Sequence, residues 1–247
     1  MFTALVSLRR PAAPAFMFGA LALMLAACGG ANSSETGEAG AETPAGSFEK
    51  GGEGALADMA LGDPDAPVTV VEYASVTCPH CATFHATIFP EIKANYIETG
   101  KVRFIFREFP TAPANLSVAG SMLARCAAEK SGMDAYFVIL NALFENQGNP
   151  YSENKGWIYG DNPRDELLKI AAQAGMDADD FEACVKRKEL LDLINENINE
   201  GSEKYGINST PTFLVDGQTR HFSTAADFSK ALDEALEKKA DGGAAGE

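Results

Sequence analysis

The stretch Val70-Val-Glu-Tyr-Ala-Ser-Val-Thr-Cys-Pro-His-Cys81 decides the fold that we predict for this 247-residue chain. It begins inside an apolar, β-branched run over residues 67–74, which is typical of a strand buried on both faces in a parallel sheet. Beyond it, apolar side chains recur at helical spacing as far as Gly100, where a glycine can end a helix. The sequence therefore places Cys78 and Cys81 at the N-terminus of a helix that follows a central strand.

The remaining segments complete a small α/β domain. Pro90 predicts a kink in the first helix, and residues 101–108 predict a second strand, which together give a βαβ unit. A long series of helical apolar faces follows, over about residues 113–206. Strands return after Pro211, joined by the hairpin signal Asp216-Gly217, before a last helix. The predicted fold is therefore α/β, with a helical insertion between a βαβ half and a ββα half.

Two cysteines separated by two residues at a helix N-terminus favour thiol–disulfide chemistry. The free N–H groups and the positive end of the helix dipole stabilise a thiolate on Cys78, and a thiolate is the attacking form. Cys81 lies one helical turn further on, near enough to resolve a mixed disulfide. Pro79 and His80 stand between them, and we expect His80 to add a positive charge or a hydrogen bond. A surface histidine at a helix start is the alternative for His80.

A zinc site is the chemical alternative for a Cys-x-x-Cys pair. Structural zinc takes four ligands, normally from a second such pair or from paired histidines. The other cysteines are far apart in the sequence, and of the two remaining histidines only His85 is near the motif. We therefore predict no metal, and nothing in the sequence indicates another cofactor.

The quoted stretch resembles the active-site segment of the DsbA-like thiol–disulfide oxidoreductases, and Cys-Pro-His-Cys is the motif of DsbA itself. Residues 209–213, Ser-Thr-Pro-Thr-Phe, resemble that family's cis-proline loop, and residues 174–184 resemble part of its helical insertion. The resemblance covers about residues 57–238 and implies a thioredoxin-like fold. The chain is also similar to some alphaproteobacterial DsbA-like proteins that have a second disulfide.

The resemblance implies roles for individual residues. Cys78 is expected to be the nucleophile and Cys81 the resolving cysteine. Pro211 is expected to be a cis-proline that faces the disulfide, with the backbone of Thr210 turned outward to pair with an extended substrate. An ordinary trans proline that opens a strand is the alternative for Pro211.

Glu72 is an acidic residue inside an apolar strand, six positions before the motif. In the family that the chain resembles, a buried acid at this point relays a proton to the resolving cysteine. A strand carboxylate that reaches solvent is the alternative. Arg107 is a candidate partner for Glu72, although nothing in the sequence fixes that pairing.

Five cysteines are present, an odd number that needs an explanation in an exported protein. If Cys28 carries lipid, four remain, and they divide into Cys78 with Cys81 and Cys126 with Cys184. We predict a structural disulfide between Cys126 and Cys184, because an oxidising compartment permits it. Since both lie on apolar helical faces, two buried free thiols are the alternative.

Residues 1–27 are typical of a bacterial export signal. Arg9 and Arg10 supply its positive charge, and residues 15–27 form an uncharged stretch that is short for a membrane span. Leu25-Ala-Ala-Cys28 resembles the lipoprotein box, in which the cysteine becomes the lipidated first residue of the mature protein. Ordinary signal cleavage without lipidation is the alternative.

Low-complexity segments flank the predicted domain. Residues 28–56 are rich in Gly, Ala, Ser, Thr and Glu, and they have too few apolar side chains to offset the cost of ordering. We predict a flexible tether there and a disordered tail over residues 239–247. The folded domain is predicted over residues 57–238.

The predicted function is that of an exported thiol–disulfide oxidoreductase, lipid-anchored to the inner or outer membrane and facing the periplasm. Its substrates are expected to be reduced or misoxidised exported proteins, a membrane redox partner is expected to reset its disulfide, and we expect a monomer. The formal charge of −15 argues against nucleic acid as a partner, because an acidic surface repels phosphate. A disulfide isomerase or reductase of the same fold, and a membrane-tethered peptide-binding chaperone, are the alternatives.

Overall fold

A computed structural model describes residues 52–244, and within them the segment before Cys78 forms β2 (Val68–Ala74) in a five-stranded sheet. All seven residues of β2 are buried, as the apolar run predicts. The sheet has the order β1-β3-β2-β4-β5, with β2 parallel to β3 and antiparallel to β4. The other strands are β1 (Met59–Leu61), β3 (Val102–Glu108), β4 (Thr212–Val215) and β5 (Gln218–Arg220).

The helix that follows β2 is broken near Pro90. The first part, α1 (Pro79–Thr87), ends before Ile88, and α2 (Phe89–Ile92) continues into a π-helical turn over Lys93–Ile97. Proline has no N–H to donate to the carbonyl four residues earlier, so a regular helix cannot pass through this point unchanged. The predicted kink is therefore confirmed.

Helices fill the segment between β3 and β4, which confirms the predicted insertion. Asp177 begins one of them with a capping box, in which Asp177 and Asp180 each accept the other's backbone N–H. A 3-10 turn (Ala172–Ala174) and a π-helical turn (Glu200–Lys204) extend two of the helices. The helices are α3 (Ala114–Ser131), α4 (Met133–Glu145), α5 (Gly156–Tyr159), α6 (Pro163–Ala171), α7 (Ala178–Cys184) and α8 (Lys188–Asn199), and α9 (Ala225–Ala244) follows the β4–β5 hairpin.

The two faces of the sheet are covered by different parts of the chain. On one face, apolar side chains of β2, β3 and β4 pack against α1, α2 and α9. The opposite face carries Val71, Tyr73 and Ile105, which pack against the segment around Ile207 that follows α8. A larger cluster joins the ends of β2 and β3 to the inserted helices and contains the fully buried Trp157. Because side chains alternate along a strand, neighbouring residues of β2 face different surroundings.

The folded region is larger than the sequence predicted. Strand β1 was not predicted, because three residues are too few to show an alternating pattern. Before it, the end of the predicted tether forms a 3-10 turn (Gly54–Leu56), in which Ala55 is buried. At the other end, residues 239–244 of the predicted tail continue α9, and Lys239 pairs with Asp216 at 3.3 Å. Helical structure therefore extends beyond the predicted limits of 57 and 238 at both ends.

The predicted export signal, Cys28 and most of the predicted tether lie outside the described residues. Residues 245–247 at the end of the predicted tail also lie outside them. Over residues 52–244, no helix combines the length and the apolar character that crossing a bilayer requires.

Candidate active site

A turn at the end of β2 places Cys78 at the start of α1. The N–H of Cys78 donates to the carbonyl of Ser75 at 3.0 Å, and the Ser75 hydroxyl accepts the N–H of Thr77 at 3.3 Å. Cys78 has an extended backbone at the N-cap, and Pro79 occupies the first helical position. Proline suits that position, because its backbone is preorganised for the helix and its missing N–H would have no helical partner. The motif itself therefore starts the helix.

Cys78 is followed by the exposed residues Pro79 and His80, and 6% of its own surface is exposed. Its pKa is lowered from 9.0 to about 5. The largest cause is a hydrogen bond from the side chain of Cys81, and burial opposes it. The side chain of Thr210 and the N–H groups of Cys81 and His80 lower the pKa further. Cys78 is therefore a thiolate at neutral pH, and His80 stabilises it through the backbone.

Cys81 has the opposite character. Its side chain is fully buried, and its pKa is raised far above the ordinary value, chiefly by that burial and then by its hydrogen bond to Cys78. The negative charges of Glu72 and of Cys78 raise it further, whereas the N–H of Ser75 lowers it. Both cysteines are free thiols in the structure. At neutral pH the pair therefore consists of one thiolate and one neutral thiol.

Glu72 lies on β2 with no exposure to solvent, and its Oε2 atom lies 2.8 Å from Nε2 of His85 on α1. The solvent-exposed alternative for Glu72 is therefore wrong. Arg107 is not its partner, because strand alternation turns Arg107 to the other face of the sheet. There Arg107 pairs with Asp58 at 3.0 Å and with Glu200 at 2.8 Å. His85, and not Arg107, is therefore the partner of Glu72.

The loop before β4 brings Thr210 against the thiolate. The Sγ atom of Cys78 lies 3.4 Å from the carbonyl oxygen of Thr210, and the Thr210–Pro211 peptide bond is cis. Thr212 holds the loop by donating its hydroxyl to the carbonyl of Ser209 at 2.7 Å. Thr210 and Pro211 are half-buried, so part of the loop is open to solvent. The trans alternative for Pro211 is therefore wrong.

Comparison with known proteins agrees with this geometry. The sequence matches the family model described as thioredoxin over residues 55–234. The crystal structure of alpha-DsbA1 from Wolbachia pipientis is similar, with a TM-score of 0.65 and 29% identity over 80% of this chain and 98% of that one. The chain belongs to the DsbA-like thioredoxin family.

Curated relatives of this DsbA-like chain carry related names. A Rickettsia prowazekii protein that is provisionally named a protein-disulfide oxidoreductase is 34% identical over 73% of this chain, and the match spans 62% of the relative's own length. Disulfide bond formation protein D of Bacillus subtilis is 29% identical over 72% of this chain and 77% of its own length. The chain therefore spans somewhat less than two thirds of the length of the Rickettsia relative.

The DsbA-like site contains a residue that sequence analysis did not find. The amide nitrogen Nε2 of Gln147 donates to the carbonyl oxygens of Val76 at 2.8 Å and of Cys78 at 3.1 Å, and so holds the loop that precedes α1. Gln147 lies in a polar run after α4, and no pattern in the sequence marks it. A group of hydroxyls supports the same loop through mutual hydrogen bonds; its members are the buried Ser75, Thr77 and Ser117 and the half-buried Thr111.

The other two described cysteines form a disulfide inside the insertion. Cys126 on α3 and Cys184 at the end of α7 are joined at an S–S distance of 2.02 Å, with both residues buried. The two cysteines are therefore not free thiols in the structure. In the described part of the chain, no three or more His, Cys, Asp or Glu side chains are grouped so that they could hold a metal ion.

Proposed function

We propose that the chain is an exported thiol–disulfide oxidoreductase that introduces disulfides into folding proteins through Cys78 and Cys81. The main support is the asymmetry of the two thiols: the pKa of Cys78 is lowered to about 5, whereas that of Cys81 is raised. A thiolate with a low pKa is a good leaving group, and its stability favours the reduced protein. Both effects favour transfer of the disulfide to a substrate, so we propose an oxidase rather than an isomerase or reductase.

The proposed transfer consists of two exchange steps. A substrate thiolate attacks Sγ of Cys78 in the oxidised protein, the Cys78–Cys81 bond breaks, and Cys81 leaves with the electron pair and takes up a proton. A second substrate thiolate then attacks the substrate sulfur of the mixed disulfide, and Cys78 leaves as a thiolate. The substrate gains one disulfide, and the protein accepts two electrons.

Residues around the pair have supporting roles in this proposal. Glu72 relays a proton to and from Cys81, consistent with its burial on the strand before the motif. Thr210 and Pro211 form the edge on which an extended substrate pairs, since they are half-buried and Thr210 contacts Cys78. Pro79 and His80 are exposed beside Cys78 and would meet the same substrate.

Export and anchoring are part of the proposal. Residues 1–27 act as the signal, and Cys28 is the lipidated first residue, which holds the domain at a membrane on the periplasmic side. Exported proteins with reduced or incorrect disulfides are the substrates, and a membrane redox partner reoxidises the Cys78–Cys81 pair. The protein acts as a monomer. Mass spectrometry of the mature N-terminus should find lipid on Cys28, and an unmodified N-terminus elsewhere would refute this part.

The experiment that tests the activity follows a reduced, unfolded substrate protein mixed with the oxidised enzyme. Substrate thiols should disappear as the enzyme is reduced, and a Cys78→Ser variant should be inactive. Equilibration with glutathione should give a reduction potential above about −180 mV, the value typical of an isomerase. A lower potential together with rearrangement of misoxidised substrates would favour the isomerase. Binding of substrate without thiol exchange would favour the chaperone.

A further inference from the structure

His85 connects the buried side of the exchange site to the protein surface. A groove of about 990 Å³ lies between the segment formed by α1 and α2 on one side and α4 on the other. His85 lines this groove, although only 8% of the residue is exposed. The exposed side chains of Val138 and Asn141 lie on the opposite wall. The groove therefore borders a histidine that is otherwise part of the core and whose Nδ1 atom is itself buried.

His85 lies on the same face of α1 as the resolving cysteine. Cys81 and His85 are four residues apart on α1, so they lie on one face of the helix. Nε2 of His85 lies 2.8 Å from Oε2 of Glu72, and the charge of Glu72 in turn raises the pKa of Cys81. Glu72 and His85 are thus the polar groups between Cys81 and the groove, and aromatic rings surround His85. The rings around His85 belong to Phe84, Phe89, Phe106 and Phe144.

Two atoms of the Glu72–His85 pair have no hydrogen-bond partner among the described residues. They are Oε1 of Glu72 and Nδ1 of His85. Buried polar atoms are normally satisfied, so an arrangement with a purely structural role should leave neither atom unpaired. An imidazole that passes a proton on needs its second nitrogen available, and a carboxylate that serves a thiol needs a free oxygen. The unpaired atoms are the ones that such a relay uses.

We propose that His85 is a positioning residue that completes a proton relay between the groove and Cys81, acting through Glu72. During oxidation of a substrate, Cys81 leaves as a thiolate and takes a proton from Glu72, and His85 returns a proton to Glu72 from water in the groove. In the reverse direction, Cys81 gives its proton to Glu72 before it attacks the mixed disulfide. The inference rests on the proposed function and adds the route by which a fully buried thiol exchanges its proton.

Charged and titratable groups of several elements adjoin His85 or line the groove with it. Glu72 approaches from β2 and Cys81 from α1. On the groove side, Lys93 follows α2, and Asp134 and Glu145 lie on α4. These polar side chains favour water in the groove, which the relay requires.

The test isolates the step in which Cys81 resolves a mixed disulfide. Cys78 is first joined to glutathione in a mixed disulfide. The rate of glutathione release is then measured from about pH 5 to about pH 8 in the unmodified full chain, in His85→Gln and in His221→Gln. His221 is exposed and does not line the groove, so it is the matched control. His85→Gln should slow release roughly tenfold at the lowest pH. The loss should shrink as the pH rises, because hydroxide from the groove can then take the proton from Glu72 in place of His85.

A pH-independent loss in His85→Gln, or no loss, would overturn the relay. His85→Ala is the second variant, because added imidazole can enter the space that it opens beside the groove. Imidazole should restore its rate with saturation, and a rate that imidazole leaves unchanged would also overturn the proposal. In a Glu72→Gln background, His85→Gln should cause no further loss, since the two residues act as one unit. If the double variant slowed glutathione release by the product of the two separate factors, the two residues would act independently.

Alkylation of Cys78 by iodoacetamide separates this inference from the proposed function. The reaction needs the Cys78 thiolate but does not require Cys81 to lose its proton, so all variants should react at the same rate. A Cys78 that is unreactive at neutral pH would refute the proposed function. A reactive Cys78 combined with normal glutathione release in the His85 variants would refute the relay alone.

Discussion

The Sγ atom of Cys78 and the carbonyl oxygen of Thr210 lie 3.4 Å apart, although 132 positions separate the two residues in the chain. This contact joins the N-terminus of α1 to the loop before β4. The side chain of Thr210 also lowers the pKa of Cys78. Thr210 therefore helps to set the charge of the nucleophile that the proposed function requires.

Thr210→Val is expected to raise the pKa of Cys78 above its value of about 5. Valine has nearly the shape of threonine but no hydroxyl, so it cannot donate a hydrogen bond to the thiolate. The pKa of Cys78 is measured from thiolate absorbance against pH. Thr210→Val is made in a Cys81→Ser protein and compared with Cys81→Ser alone. Thr219→Val, on the exposed strand β5, is the control and should leave the titration unchanged. An unaltered pKa in Thr210→Val would show that the Thr210 hydroxyl does not contribute to the lowered pKa of Cys78.

The low pKa of Cys78 should make the stability of the reduced protein depend on pH. The pKa falls from 9.0 for an unperturbed thiol to about 5 in the folded protein, so the thiolate stabilises the fold fully above pH 9.0 and not at all well below about pH 5. Cys81 does not offset this below pH 9.0, because its raised pKa leaves it neutral in both states. Acidification thus removes stability progressively across this window.

Between about pH 7 and about pH 5, the reduced protein is expected to lose on the order of 2 kcal/mol of unfolding free energy from Cys78. Urea titrations of the reduced protein and of reduced Cys78→Ser measure this component by difference, since other groups titrate equally in both. Identical pH dependence in the two proteins would contradict the lowered pKa.

The sequence predicted those parts of the site that depend on local pattern. The buried strand, the helix start at Cys78 and the break near Pro90 each follow from neighbouring residues, whereas the burial of Glu72 was implied by the family resemblance. The pairing of Glu72 was not predictable in the same way. Arg107 is nearly opposite Glu72 across the β2–β3 pair, but the register turns it to the other face.

Other features depend on packing between distant segments. Gln147 reaches the loop before Cys78 across a separation of 71 residues, and a polar run after a helix gives no sign of that contact. Strand β1 pairs with β3 although it has only three residues. The buried turn before β1 likewise requires α3 to be in place, because α3 supplies the donor to its carbonyl groups. Such contacts exist only once the inserted helices have packed against the sheet.

Replacing both Cys126 and Cys184 by alanine should lower the melting temperature but leave disulfide exchange intact. The bond links positions 58 apart, for which the chain-entropy estimate is at most about 4 kcal/mol of stabilisation. It lies in the insertion, and Cys78 and Cys81 form a separate pair. Calorimetry and oxidation of a model dithiol give the two readouts on the same sample. Loss of exchange at a temperature where the variant remains folded would contradict a purely structural role.

A buried ion pair fixes the insertion to the end of β3. Arg125 on α3 donates to both carboxylate oxygens of Glu108, at 2.6 and 2.7 Å, and the two side chains are 2% and 0% exposed. Tyr136 and Asn197 each donate to the same carboxylate at 2.9 Å. The charge of Glu108 is therefore compensated by one cation and two neutral donors from three helices.

Arg125→Met should destabilise the protein by about 3 to 5 kcal/mol, because it leaves the Glu108 carboxylate buried without its cation. The matched control is Arg187→Met, which removes an arginine that is 27% exposed and pairs with Glu129 and Glu189; it should cost at most about 1 kcal/mol. Urea unfolding near neutral pH measures both. Adding Glu108→Gln to Arg125→Met should recover part of the loss, since the uncompensated charge is then gone. If Arg125→Met lowered the free energy of unfolding by less than about 1 kcal/mol, the two neutral donors would be sufficient to stabilise the buried Glu108 carboxylate.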